Sequence, residues 1–138
     1  MLLFVLAISL WGAPQDQPSF QACLADDPGT VGTTVCYGDD LERKKTEHYA
    51  VLARIDRKLE VLPAEGAVRP DEARRALGEA QRLWTAFVDA DCTAGQALFG
   101  EGNAFALARL ACEAEHVEAR TVELVTFEDT YLMAGPLP

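Results

Sequence analysis

The sequence predicts an all-α domain, small and disulfide-stapled, with three to four helices in an antiparallel arrangement. Three observations carry that expectation. Apolar residues recur at three- and four-residue intervals over three long stretches, the pattern of helices that bury one face. No segment sustains the apolar–polar alternation of a strand. Four cysteines stand in a chain whose opening residues read as an export signal, so an oxidising compartment and a disulfide framework are expected. With 138 residues, 49% of them apolar, there is material for one domain around one core.

The opening, MLLFVLAISLWGAPQDQ, contains an uncharged apolar run, Leu2–Trp11. It is too short to span a bilayer and suits the central region of a signal peptide. Gly12 and Ala13 supply small residues before the polar stretch Pro14–Pro18, which places cleavage after Ala13. Residues 1–13 are therefore read as a signal peptide and residues 14–138 as the helical domain, periplasmic or secreted, with no membrane span. No cysteine follows the apolar run directly, so nothing points to a lipid-modified N-terminus.

Beyond the turn-rich loop Asp26–Thr34, the first long helix carries Leu41, His48, Tyr49, Leu52, Ile55, Leu59 and Leu62 as its apolar stripe. The stretch Pro63–Pro70 ends it. Asp71 is the expected cap of the second helix, whose stripe is Ala73, Leu77, Ala80, Trp84, Phe87 and Val88. The break Phe99–Asn103 follows, with Asn103 as the expected cap of a third helix running to about Phe127. Leu107, Leu110, Ala111, Ala114, Val117, Thr121, Leu124 and Val125 line its buried side.

Four cysteines allow three pairings. The helical hairpin favours the sequential one, Cys23–Cys36 and Cys92–Cys112. Antiparallel neighbours across the Phe99–Asn103 reversal bring Cys92 and Cys112 within the Cα separation a disulfide needs, about 4.4–6.8 Å.

Net charge is −10, which argues against nucleic acid and against anionic lipid. Residues 1–82 carry thirteen acids and ten bases, whereas residues 83–138 carry nine acids and only Arg109 and Arg120. The later part of the chain is thus the acidic part, and it suits a basic protein partner through electrostatic steering. Glu113, Glu115, Glu118 and Glu123, with Asp89 and Asp91, are the candidate contact carboxylates.

Catalytic chemistry finds little footing. No G-x-S-x-G, HExxH or phosphate-cradling glycine loop is present. Asp89 and Asp91 stand two apart on a helix and point in different directions, unlike a glycosidase pair. Cys112 and His116, one turn apart, with Cys92 as a third ligand, are the only arrangement that resembles a zinc site, and oxidation competes with it. Glu113-x-x-His116 matches half of a di-iron motif but has no second copy. Glu113 and Glu115 disfavour a thiolate at Cys112. No enzyme activity and no cofactor are expected.

A further set of residues resembles a known family. Cys23 and Cys36, then Gln81 and Trp84, Asp89 before Cys92, Gly100 and Gly102 in the turn, Cys112, and Arg120 with Thr121 resemble the LprI-type lysozyme-inhibitor-like family across about Ser19–Phe127. The family usually carries arginine where this chain has Val88, and often glutamate where it has Gly32. The resemblance implies a small exported helical domain that inhibits or binds a basic lysozyme. The alternative is a structural or accessory envelope domain, partnering another envelope protein, without lysozyme activity. Gln81, Trp84, Asp89 and Arg120 are the positions to which the motif points. Their structural reading makes Trp84 the anchor of the hairpin and Arg120 the partner of a nearby acid.

Overall fold

The fold was described from a computed structural model covering residues 19–133; the expected signal segment, residues 1–13, lies outside the described residues. A short helix α1 (Phe20–Asp26) precedes three long ones, α2 (Thr30–Val61), α3 (Pro70–Ala97) and α4 (Asn103–Glu128). α4 runs on into a π-helical turn at Asp129–Met133. The described residues contain no strand, and no helix among them is long and apolar enough to cross a membrane. At 1.5 Å per residue, the 32 residues of α2 span about 48 Å.

The chain reverses twice. Arg74 of α3 meets Asp56 of α2, and Gln81 meets His48, so α2 and α3 are antiparallel. Gln96 near the end of α3 donates to the carbonyl of Phe105 near the start of α4, so that pair is antiparallel too. Two reversals leave α2 and α4 parallel, and α4 packs more extensively on α2 than on α3. Both expected disulfides form: Cys23–Cys36 fastens α1 to α2 with Cα atoms 5.8 Å apart, and Cys92–Cys112 fastens α3 to α4 at 5.6 Å.

Apolar burial falls into two clusters. Val51, Ile55, Leu59 and Leu124 form one, flanked by Ala73, Leu77 and Phe127. Leu41, Ala114 and Val117 form the other, flanked by Trp84 and Leu110. His48 and Thr121, both buried, lie between them.

Helix ends depart from the sequence expectation. α2 begins at Thr30, inside the stretch read as a loop, with Gly29 as its N-cap. Cys36 is tied back to α1, so its first turns are held by tertiary structure despite threonines and glycine of low helix propensity. Arg69, not Asp71, caps α3; Pro70 takes the first helical position, where a missing N–H costs nothing. Asp71 and Glu72 sit instead in the first turn, favourably placed toward the dipole. Gly102 precedes α4 at φ 101°, a conformation that asparagine adopts less readily, so Asn103 becomes the first helical residue rather than the cap.

The apolar stripes are also narrower than periodicity suggests. Tyr49, Leu62, Ala80 and Phe87 are exposed, because α2 and α3 each bury only the wedge that faces their neighbours. Gly32 is explained by its surroundings: the Asp27 side chain occupies the space a Cβ would take.

The far end of the bundle is closed by a charge cluster. Glu128 is 3% exposed and accepts bidentate hydrogen bonds from Arg54, whose Nε lies at 2.8 and 2.9 Å from its two oxygens. Lys58 adds a contact at 2.6 Å. These donors hold the Glu128 carboxyl at about 2, below its ordinary 4.5.

Two outcomes are expected from this packing. The double variant Cys92→Ser/Cys112→Ser should lose about 3 kcal/mol in denaturant melts, since its bridge closes a loop of about 20 residues. Glu128→Gln should lose about 1–3 kcal/mol at pH 7. Because its folded-state pKa is lowered, the Glu128 contribution is complete above about pH 4.5 and disappears as pH falls toward 2. Wild-type and Glu128→Gln stability curves should therefore converge on acidification; a constant gap would show that the ion cluster is not the source.

Candidate functional site

The motif residues Gln81, Trp84 and Arg120 converge with His48 and Thr121 in the polar layer between the two apolar clusters. Thr121 Oγ1 donates to the Val117 carbonyl at 2.7 Å and so accepts from His48 Nδ1 at 3.1 Å. That leaves His48 Nε2 to accept from the Gln81 amide at 2.7 Å. The network therefore assigns a neutral imidazole protonated on Nδ1. Burial first, then the positive charge of Arg120, depress the His48 pKa.

Trp84, half-buried, stacks on His48 with ring centroids 5.2 Å apart. Arg120 pairs with Glu123 at 2.7 Å. This layer joins all three long helices. His48 is the member the sequence did not single out, since a histidine on an apolar stripe carries no pattern of its own.

Asp89, the fourth motif residue, lies on the surface and accepts from Arg109 of α4 at 2.6 Å. Arg109 also donates to Glu113 at 2.7 Å and to Thr93 at 3.1 Å. The bond to Asp89, outweighing burial and joined by Glu113, raises the Arg109 pKa. Val88 is 7% exposed and apolar, and the cation facing Asp89 comes from α4. Asp89, Arg109, Glu113, Lys45, Tyr49 and Trp84 line a groove of about 680 Å³.

The sulfur atoms of Cys92 and Cys112 lie within 4.8 Å of a His116 nitrogen, the arrangement that resembled a zinc site. Both sulfurs are bonded to each other, and His116 Nε2 is engaged by Asp91 at 2.8 Å. Ligation would require reducing the bridge. The four cysteines leave no free thiol for nucleophilic chemistry.

The six candidate carboxylates do not form one stripe. With 3.6 residues per turn, Glu113, Glu115, Glu118 and Glu123 spread around most of the circumference of α4, and only Glu115 and Glu118 are neighbours. Glu118 pairs with Lys44 at 2.7 Å and Glu113 lies 3.8 Å from Lys45, both on the side facing α2. Among the described residues, only Glu115 of the six has neither an ion-pair nor a side-chain hydrogen-bond partner.

A different distribution emerges along the bundle axis. Leu41 packs with Ala114 and Val117, and the two bridges join Cys23 to Cys36 and Cys92 to Cys112. Residues 19–42 and 89–116 therefore share one half of the bundle. That half holds ten carboxylates and one cation, Arg109, a net charge of −9. Residues 43–88 and 117–133 hold eleven of each sign. Essentially the whole net charge thus sits at the disulfide end, bordered by Arg43, Lys44 and Lys45. Asp26, Asp27, Asp39, Glu101 and Glu115 are exposed there and make no ion pair among the described residues.

The family model described as Lysozyme inhibitor LprI matches residues 22–124, most of the chain. No curated protein and no solved structure matches.

The polar layer makes a pH prediction. A histidine whose folded pKa is depressed below 6.5 binds fewer protons folded than unfolded. Its stability contribution is complete above that pH and declines as pH falls below it. Denaturant midpoints should drop between pH 7 and pH 5 in the wild type, and less steeply in His48→Gln. Parallel curves would remove His48 as the cause.

Proposed function

The chain belongs to the LprI family of lysozyme inhibitors, and on that premise we propose that it is an exported binder and inhibitor of a basic lysozyme. The observation that carries this reading is the separation of charge: a net −9 at the disulfide end against zero over the rest of the bundle. A basic enzyme approaching this dipolar rod is steered to one end, and the gain appears chiefly in the association rate. The unpaired carboxylates Asp39, Glu101 and Glu115 are better placed for contact than Glu118 and Glu123, which already hold Lys44 and Arg120.

Export supports the same reading. The apolar opening of residues 1–13 fits a signal peptide, and two disulfides suit an oxidising compartment. We read the protein as a non-enzyme of the periplasm or exterior whose work is done by its surface. One observation favours the accessory-domain alternative: Leu83 and Phe87, about half exposed on α3, offer apolar area to another envelope protein.

The test is inhibition of cell-wall lysis by a basic lysozyme, with the oxidised exported protein titrated at low and physiological salt. Saturable inhibition surviving physiological salt, and absent from an unrelated protein of equal charge, is expected. Asp39→Asn/Glu101→Gln/Glu115→Gln should weaken it roughly tenfold and flatten its salt dependence. Glu60→Gln/Glu118→Gln/Glu123→Gln, an equal charge change in the neutral half, should stay within about twofold. Inhibition matched by the charge control would leave the accessory-domain reading standing.

A further inference from the structure

Resting on that reading, we propose that the α3–α4 loop Leu98–Gly102 is the element that enters the lysozyme's substrate cleft, with Leu98 and Phe99 as its apolar anchors and Glu101 as its charged contact. Leu98 is 85% exposed and Phe99 56% exposed, adjacent residues in the connection between α3 and α4 within the acidic half. Large apolar side chains this exposed lose contact with water only against a partner. Phe105, Val31 and Val35 lie at the same end of the bundle, with 37%, 76% and 54% of their surface exposed.

Charge selects the partner. The cation nearest this tip in sequence is Arg109, whose guanidinium is bound by Asp89 and Glu113. Glu101 stands between two glycines, is exposed, and makes no ion pair among the described residues. An apolar tip that carries Glu101 in a half of net charge −9 fits an apolar-walled recess with a cationic rim. A basic glycan-cleaving enzyme presents such a recess, because sugar faces are bound by apolar and aromatic walls.

The loop is also built to arrive preformed. Leu98 and Phe99 donate their N–H groups to Gly95 and Gln96 carbonyls at 3.2 and 3.0 Å. Gln96 bonds across to Phe105 at 3.1 Å, and Ala106 donates to Gly102 at 3.3 Å. Gly100 and Gly102, at φ 68° and 101°, make the reversal tight. The Cys92–Cys112 bridge locks both stems about 9 Å below Leu98. A loop held this way gives up little conformational freedom on insertion.

The experiment measures binding of the oxidised protein to a basic lysozyme by calorimetry, with and without saturating N-acetylglucosamine trisaccharide in the cleft. Leu98→Ser/Phe99→Ser should weaken binding at least about tenfold, while Leu83→Ser/Phe87→Ser, 53% and 55% exposed on α3 outside the loop, should stay within about twofold. Both variants should remain folded at the assay temperature, since all four side chains are at least half exposed. The trisaccharide should compete with the wild type. Tight binding by Leu98→Ser/Phe99→Ser, or simultaneous binding of trisaccharide and protein, would overturn the loop assignment while leaving lysozyme binding intact. Absence of wild-type binding would overturn the functional reading and this one with it.

Discussion

His48–Thr121, Lys44–Glu118 and Arg54–Glu128 hold α2 and α4 side by side and parallel, at a constant offset of 73 or 74 residues. These helices are not consecutive, so no short turn sets their register; side chains must. A helix slipped by one residue turns its contact face through about 100° and would bring apolar positions opposite charges. Three unlike polar pairs, one neutral and two ionic, fit the same alignment. His48, Thr121 and Glu128 are buried, so an alignment that left them unsatisfied would be penalised, whereas the Lys44–Glu118 pair lies at the surface and contributes little. α3 then needs only to cover the remaining side, through Gln81 and Trp84 against His48 and through the bridge to Cys112.

Much of this was readable in advance, for reasons that are local. Helix periodicity, the Pro63–Pro70 break and the cysteine spacing are short-range signals, and the all-α class, the hairpin and both bridges follow from them. The helix starts were not. Thr30–Thr34 looks like loop because its residues favour turns on their own, and only the anchor of Cys36 on α1 makes them helical. His48 was legible as a stripe residue but not as the centre of a layer, since Gln81 and Thr121 meet it only once three helices assemble.

The acidic surface shows the same limit more sharply. Counted along the chain, the carboxylates concentrate after residue 83, and α4 looks like the docking element. Counted along the bundle, α1 and the first turns of α2 join α3 and α4 in one acidic half, while Glu118 and Glu123 fall in the neutral one. Linear order and axial height diverge because the chain traverses the bundle three times. Arg109 could not have been singled out for the same reason: its partners Asp89 and Glu113 come from two helices.

The Cys23–Cys36 bridge, which binds α1 against the beginning of α2, brings the first described residues to the acidic end, whereas Leu132 packs with Leu59 at the other. The described chain therefore starts part-way along α2, with Phe20 against Tyr37, and ends at the pole opposite the Leu98–Gly102 loop. An affinity handle, a fluorophore or a surface linkage attached directly ahead of α1 would start beside Tyr37 and Arg43, below the Leu98–Gly102 loop. The same graft placed behind Met133 would present the acidic pole outward, as a rod standing on its base.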